Sequence, residues 1–526
     1  MNAKRLTLIF VTIALLLSAC SAKQAREEQV IATYEIEPYV VTEVVVEEVE
    51  VIMEEPVAQA PQPAGGQPVA LPTPVGNTFQ DYGVNPYQDT REDNLSTFAL
   101  DVDTASYSVA RRYINDGNLP PADAIRVEEF VNYFDMGYNN PPNVGFAIYA
   151  DGAPSPFNYD GTYLLRIGIQ GYQVPDAERL PSSLTFVIDV SGSMDMENRL
   201  ELVKQSLRLL VERLRYDDTV SIVVYGSEAR VVLYPTSGND KATILNAINA
   251  LRPEGSTNAE AGLKLGYEMA MRGFQSGANN RVILCSDGVA NVGNTGPDSI
   301  LSQVRGYVSE GIYLTTIGFG MGNFNDVLME QLANDGNGAY AYVDTLDEAR
   351  ELFVDNLTST LQTIARDARV QVDFNPDVVP YYRLIGYENR AIADQDFRND
   401  RVDAGELGAG HSATAIYAVQ FLPNAQGRIA TVQLRWEDPQ TNEVHEINGN
   451  LNTWDLYPSF ETAPARYQLA ILAAQYAEVL RQSPWAAGTS LDQIYSLAYP
   501  LLSSLGEDAE VVEFVDLLYR ASRIWR

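Results

Sequence analysis

Cysteine and histidine are nearly absent from this chain, and a good deal of chemistry is excluded with them. There are two cysteines, Cys20 and Cys285, so no disulfide framework can brace the fold. Stability must come from burial, and 526 residues allow two or three domains. The two histidines, His411 and His445, lie far apart and outside any metal-like spacing. That argues against zinc and against histidine acid–base chemistry. Basic residues are also scarce: 36 Lys and Arg face 70 Asp and Glu, a net charge of −34. Such a chain repels phosphates, so nucleic acid and anionic lipid headgroups are not expected partners. There is no phosphate-cradling Gly-rich loop with a lysine. The N-terminal apolar stretch, residues 6–19, runs for roughly 14 residues where a membrane-crossing helix needs ~20.

That stretch follows Met-Asn-Ala-Lys-Arg and ends in small residues, so it reads as a secretory signal over residues 1–19. Leu17-Ser18-Ala19-Cys20 resembles a bacterial lipobox. The resemblance implies cleavage before Cys20 and acylation of its thiol and new amino group, an anchor of two or three acyl chains. The expected location is the bacterial cell membrane or outer membrane. Ser21 is not the Asp that marks inner-membrane retention in Gram-negative lipoproteins, and the leaflet stays open. Residues 20–85 hold no plausible core. A Val/Glu mixture gives way to a Pro-rich tract, as in a semi-extended linker.

From about Asn85 the composition turns globular. Residues 181–365 alternate strand and helix. Strands are predicted at 184–190, 219–225, 281–286 and 313–318. Helices are predicted at 199–214, 241–251, 258–271, 300–309, 325–333 and 346–360. The fold class is α/β, a doubly wound parallel sheet. The flanks, 86–180 and 366–450, are strand-rich, and 451–526 is helical. Neither flank alone has strands enough for a sandwich. We therefore expect segments 145–170 and 370–440 to share one β-rich module, with the α/β domain inserted between them. Asp103 or Thr104 is positioned to cap a helix beginning near residue 105.

The apolar run at 184–190 is interrupted by Asp189-Val-Ser191-Gly-Ser193. A buried parallel strand ending there places one carboxylate and two hydroxyls at the carboxyl edge of the sheet, where α/β folds bind ligands. Gly192 is expected to let the turn tighten so that both serines face one point. Two further segments should meet them: Gly255-Ser256-Thr257-Asn258 before a helix, and Cys285-Ser286-Asp287-Gly288 after a strand. Asp189, Ser191 and Ser193 form an oxygen-only cluster, which suits Mg2+, Mn2+ or Ca2+.

Each segment alone is weak, since Ser-Asp-Gly is a common turn. In this order and context they resemble the metal-ion-dependent adhesion site of von Willebrand factor A domains. The resemblance implies that Ser191, Ser193 and Thr257 supply hydroxyls to the metal, while Asp189 and Asp287 supply carboxylates, usually through water. It implies non-catalytic protein binding, with a partner carboxylate completing the metal's shell and ligation shifting the last domain helix, 346–360. Leu100-Asp-Val-Asp-Thr-Ala-Ser-Tyr107, Asn279-Asn-Arg-Val282, Gly318-Phe-Gly-Met-Gly322 and Arg383-Leu-Ile-Gly-Tyr-Glu-Asn-Arg390 look like bacterial exported A-domain proteins with their own flanking regions. Two other classes stay open: a hydrolase or phosphoryl-transfer enzyme with Asp189 as nucleophile, and a scaffold acting through its flanks.

Three lesser features read as structural. Asp101 and Asp103 form an acid pair with no base or nucleophile motif beside it. The stretch 396–406 has the acid density of a calcium loop without that loop's Gly and Glu. Cys285 sits inside an apolar run and is expected to be inert.

Overall fold

The computed structural model describes residues 76–525, except 101, 143–144, 158–159, 289–296 and 323. The signal stretch, Cys20, most of the expected linker and Asp101 lie outside the described residues. The packed body begins before the composition change at Asn85. Asn77 Nδ2 donates to the Tyr113 hydroxyl at 2.7 Å, and Asn85 Nδ2 donates to the Gly386 carbonyl at 2.8 Å. Polar residues here bind to the body through side-chain amides, which hydropathy does not register.

The N-terminal flank carries β1 (Gln88–Asp89), β2 (Leu95–Ala99), α1 (Ala105–Asn115), α2 (Val127–Asn132), β3 (Phe146–Pro154) and β4 (Tyr163–Gly171). The α/β domain follows with β5 (Ser182–Asp189), α3 (Arg199–Arg213), β6 (Thr219–Tyr225), β7 (Ala229–Ser237), α4 (Lys241–Ala250), α5 (Ala259–Gly273), β8 (Asn279–Ser286), α6 (Pro297–Val308), β9 (Tyr313–Gly318), α7 (Asp326–Asp335) and β10 (Tyr340–Tyr342). Its last helical segment is α8 (Leu346–Arg350), a π-turn over Glu351–Asp355, and α9 (Leu357–Leu361). The C-terminal flank holds β11 (Thr363–Phe374), β12 (Tyr381–Ile385), β13 (Gly405–Gly408), β14 (Ser412–Gln420), β15 (Arg428–Glu437) and β16 (Val444–Asn452). Helices α10 (Ala465–Leu480), α11 (Leu491–Ala498) and α12 (Ala509–Ile524) then close the chain.

The domain sheet runs β10-β9-β8-β5-β6-β7. It is mixed and not wholly parallel, because β7 pairs antiparallel with β6. The short turn after Tyr225 permits only a hairpin, since a parallel return needs a crossover of a dozen residues or more. Strand β5 is buried along its whole length between β6 and β8. Leu184, Phe186 and Ile188 pack on the α3 and α4 side, while Val187 faces the α5–α7 side. That two-sided burial accounts for its uninterrupted apolar sequence.

Strands from both flanks share a sheet: β1-β12-β14-β4-β3, with β4 paired to β14. The second sheet is β13-β11-β15-β16, with β2 also paired to β11. Alternate residues Leu165, Ile167 and Ile169 on β4 meet Val370, Val372 and Phe374 on β11 and Val432 and Leu434 on β15 in one core. This is a two-layer sandwich with the α/β domain inserted between β4 and β11. The first sheet's other face, including Leu164 and Ile416, is covered by α2 and α10, and α12 belongs to the same core. Helix α1 joins the two halves, because Val109 packs in the α/β core while Ala110 and Ile114 pack among the flanking helices.

Two expectations are corrected. Thr104 stands at the N-cap of α1, but its side chain makes no cap bond; the Ser106 amide in the first turn instead donates to Glu129 Oε2 at 2.7 Å. Asp103 Oδ1 accepts from the Tyr340 amide at 2.9 Å, tying the strand–helix turn to β10. The last domain helix is not continuous over 346–360 but broken by the π-turn and by Asn356. The acidic stretch 396–406 wraps a guanidinium. The fully buried Arg369 donates to the carbonyls of Asp396, Asn399 and Val402 at 3.1, 3.0 and 2.6 Å, so an arginine fills that loop.

The junction between the broken helix and the C-terminal helices is strongly charged. Buried Arg111 reaches Asp344 at 2.5 Å, Glu348 at 2.6 Å, Glu513 at 3.1 Å and the Tyr133 hydroxyl at 2.6 Å. Beside it, burial and then the charge of Glu510 push Glu351 well above the usual carboxylate range, and burial pushes Glu510 up with it. Carboxyls raised by folding favour the native state while protonated, and that contribution is lost as pH rises through the folded values. The contribution of this pair to stability should therefore fall as pH rises above the ordinary glutamate value of 4.5. Glu351→Gln should flatten that slope in urea unfolding series; an identical slope in the variant would reject the assignment.

Candidate functional site

The carboxyl end of β5 turns at once. Asp189 Oδ1 accepts from the Ser191 amide at 2.8 Å, an Asx turn that brings the chain back over its own side chain. The Ser286 hydroxyl at the end of β8 donates to Asp189 Oδ2 at 3.0 Å. Asp189 is fully buried. Burial pushes its carboxyl up to about 6, against hydrogen bonds from Ser191 and Ser286, and the charge of Asp287 adds to the rise. Ser191 Oγ and Ser193 Oγ stand 3.0 Å apart. Asp189, Ser191 and Asp287 are buried, while Ser193 and Thr257 are half-buried. The carboxylates thus form the floor of the cluster, and two hydroxyls stand at its mouth.

The second segment is tied to the first by backbone bonds. The Gly192 amide donates to the Gly255 carbonyl at 3.1 Å, and the Glu254 amide donates to the Val190 carbonyl at 2.5 Å. The Asn258 side chain caps α5 by accepting from the Ala261 amide at 3.2 Å, which sets Thr257 immediately before the helix. The glycine whose freedom matters is not Gly192, which has no positive φ, but Gly255, at φ +74. A Cβ on Gly255 would come within 2.5 Å of Ser227 Oγ.

The structure therefore brings Asp189, Ser191 and Ser193 into direct contact and ties the Thr257 segment to them. Asp287 follows Ser286 on the adjacent strand. Cys285 is fully buried just below, and burial raises its thiol well above the ordinary value, so it is inert there. Two residues had no assigned role. One is Ser286, the direct partner of Asp189. The other is Arg199, whose Nη1 donates to Asp287 Oδ2 at 2.8 Å. A signal for Arg199 was present: a basic residue at the first position of a helix opposes the helix dipole and needs a nearby anion.

A mixed α/β sheet with this Asp-x-Ser-x-Ser turn at its central strand defines a von Willebrand factor type A domain protein. The family model "von Willebrand factor type A domain" matches residues 183–356, "von Willebrand factor" matches 74–166, and "Uncharacterized protein YfbK, C-terminal" matches 359–524. The chain is 37% identical over 471 residues to the protein YfbK of Escherichia coli K12, covering 84% of this chain and 80% of that protein. It belongs to the YfbK family. A Synechocystis protein, sll0103, is 28% identical over 55% of this chain and 69% of its own length. A solved von Willebrand factor type A protein from Catenulispora acidiphila is similar at TM-score 0.43 and 15% identity, over 72% of this chain and 90% of that one.

Ser286→Ala would leave Asp189 Oδ2 without its donor in a buried site. The expected cost is about 1–3 kcal/mol in denaturant unfolding; an unchanged midpoint and slope would show that this bond contributes nothing net.

Proposed function

We propose that the A domain holds a divalent cation, Mg2+ or else Mn2+ or Ca2+, on Asp189, Ser191, Ser193, Thr257 and Asp287. The cation in turn captures a carboxylate from a protein partner. The observation that carries this reading is the serine pair, with two hydroxyl oxygens 3.0 Å apart beside a buried carboxylate. The donor set fits a hard cation, because every side chain offers oxygen. A dication beside the buried Asp189 carboxyl would favour its ionised form. When bound, the cation supplies Lewis acidity toward an anion. The residues themselves orient it, and half-buried Ser193 and Thr257 lie where a partner would approach.

The role is binding and not turnover: Cys285 is inert, and Asp189 lies buried under the turn that it holds. In this reading the protein is exported and held at the bacterial envelope by acyl chains on Cys20, and it engages another envelope protein.

Two measurements test this. Mg2+ at 100 times its Kd should stabilise the full chain by about 2.7 kcal/mol, seen as a higher Tm at pH 7.5 and a smaller rise at pH 5, where protons compete for Asp189. Asp189→Ala should abolish the rise; equal melting with and without cation at pH 7.5 would end the metal assignment. Separately, Cys20→Ser should move the protein from the membrane fraction to the soluble fraction, and a soluble wild type would reject the anchor.

A further inference from the structure

Two carboxylates and three hydroxyls are the expected parts of the site, but the structure adds a fixed positive charge. Arg199 opens α3 and is 5% exposed. Its Nη1 donates to Asp287 Oδ2 at 2.8 Å and reaches the Ser193 carbonyl at 3.5 Å, while Nη2 donates to the Met321 carbonyl. The guanidinium therefore binds a site carboxylate, the backbone of a site serine and the loop after β9.

That loop is shaped around it. Gly320 has φ +86, and a Cβ there would come within 2.3 Å of Arg199 Nε. Nε is buried with no hydrogen-bond partner among the described residues. The charge also sits at the positive end of a helix dipole. Local conditions disfavour a guanidinium in this position; the compensating group is Asp287.

We propose that Arg199 is a built-in counter-cation that shifts the metal site from holding its cation tightly toward capturing an anion, resting on the metal reading above. It acts through Asp287 as a positioning residue: it holds one carboxylate oxygen and neutralises the charge. A dication over Asp189 and Asp287 alone would leave the cluster neutral. With Arg199 it keeps one positive charge, which strengthens its pull on an incoming carboxylate and weakens its own hold on the cation. For a chain of net charge −34, this gives an acidic partner a locally attractive site on a repelling surface. Exposed Glu197, 3.7 Å from Arg199, is the nearby acid that tempers this charge.

The test uses the full chain, with Mn2+ as the metal probe, followed by electron paramagnetic resonance. Acetate is the anion probe, followed by the relaxation of water protons on bound Mn2+. Arg199→Met should bind Mn2+ about tenfold more tightly and acetate more weakly. Arg199→Lys, which keeps the charge, should stay near wild type in both. Circular dichroism without metal checks folding, and Arg199→Gln replaces the methionine variant if that one does not fold. Unchanged or weaker Mn2+ binding in a folded, uncharged variant overturns the proposal while leaving the metal site intact. If wild type takes up no Mn2+, or Asp189→Ala takes up as much, the metal reading and this proposal fall together.

Discussion

The α/β domain can interrupt a β-sandwich only because its first strand and its last helical turn leave at the same place. The Leu180 amide donates to Gln362 Oε1 at 3.0 Å, joining the entry of the insertion to its exit. On the entry side, Arg179 pairs with buried Asp218 at 2.8 Å and donates to Ser182 Oγ at 2.5 Å. On the exit side, buried Arg281 donates to Thr315 at 2.7 Å and to Thr363 at 3.2 Å, bridging β9 to the start of β11. Burial lowers this guanidinium to about 10, so it stays charged at neutral pH. Closing the insertion this way lets β4 and β11 re-enter one core although 191 residues separate Gly171 from Thr363. The sandwich, the helical cover and the orientation of the candidate-site edge all depend on that junction.

Buried arginine recurs wherever separate segments must be held together. Arg111 joins α1 to the broken domain helix and to α12. Arg369 gathers the carbonyls of an acidic loop. Arg383 and Arg481 close on Glu478 of α10. In a chain without a disulfide framework, planar multidentate guanidinium groups serve as cross-links. Such pairs add little net stability against hydrophobic replacements, but they penalise wrong arrangements heavily, because any slip leaves a buried charge unpaired. Arg199 belongs to the same set, with the difference that its partner lies in the candidate binding site.

Much of the α/β domain was legible because its strands are buried on both faces. Runs such as Leu184–Ile188 carry no polar interruption, and the polar turn that follows stands out against them. What escaped was edge structure. Strand β7 contains Pro235 and exposes Tyr234, and β16 alternates polar residues outward, so neither reads as a strand from its own sequence. The π-turn in the last domain helix escaped as well, because its residues have ordinary helical spacing. Packing against α1 and α12 through Arg111 is a tertiary matter.

The amino-acid sequence determined the order of elements, the three loops that carry Asp189, Ser191, Ser193, Thr257 and Asp287, and the need for one β module made from two flanks. Those are properties of local periodicity and of strand supply, which are written along the chain. Only the tertiary structure decided that Ser286 bonds Asp189, that Asp103 binds the Tyr340 amide of β10, and that Arg199 lies against Asp287. Each of these is a pairing between charges or dipoles on different elements. Its partner is set by which strand ends and helix starts come to the same edge, and no spacing within one segment encodes that.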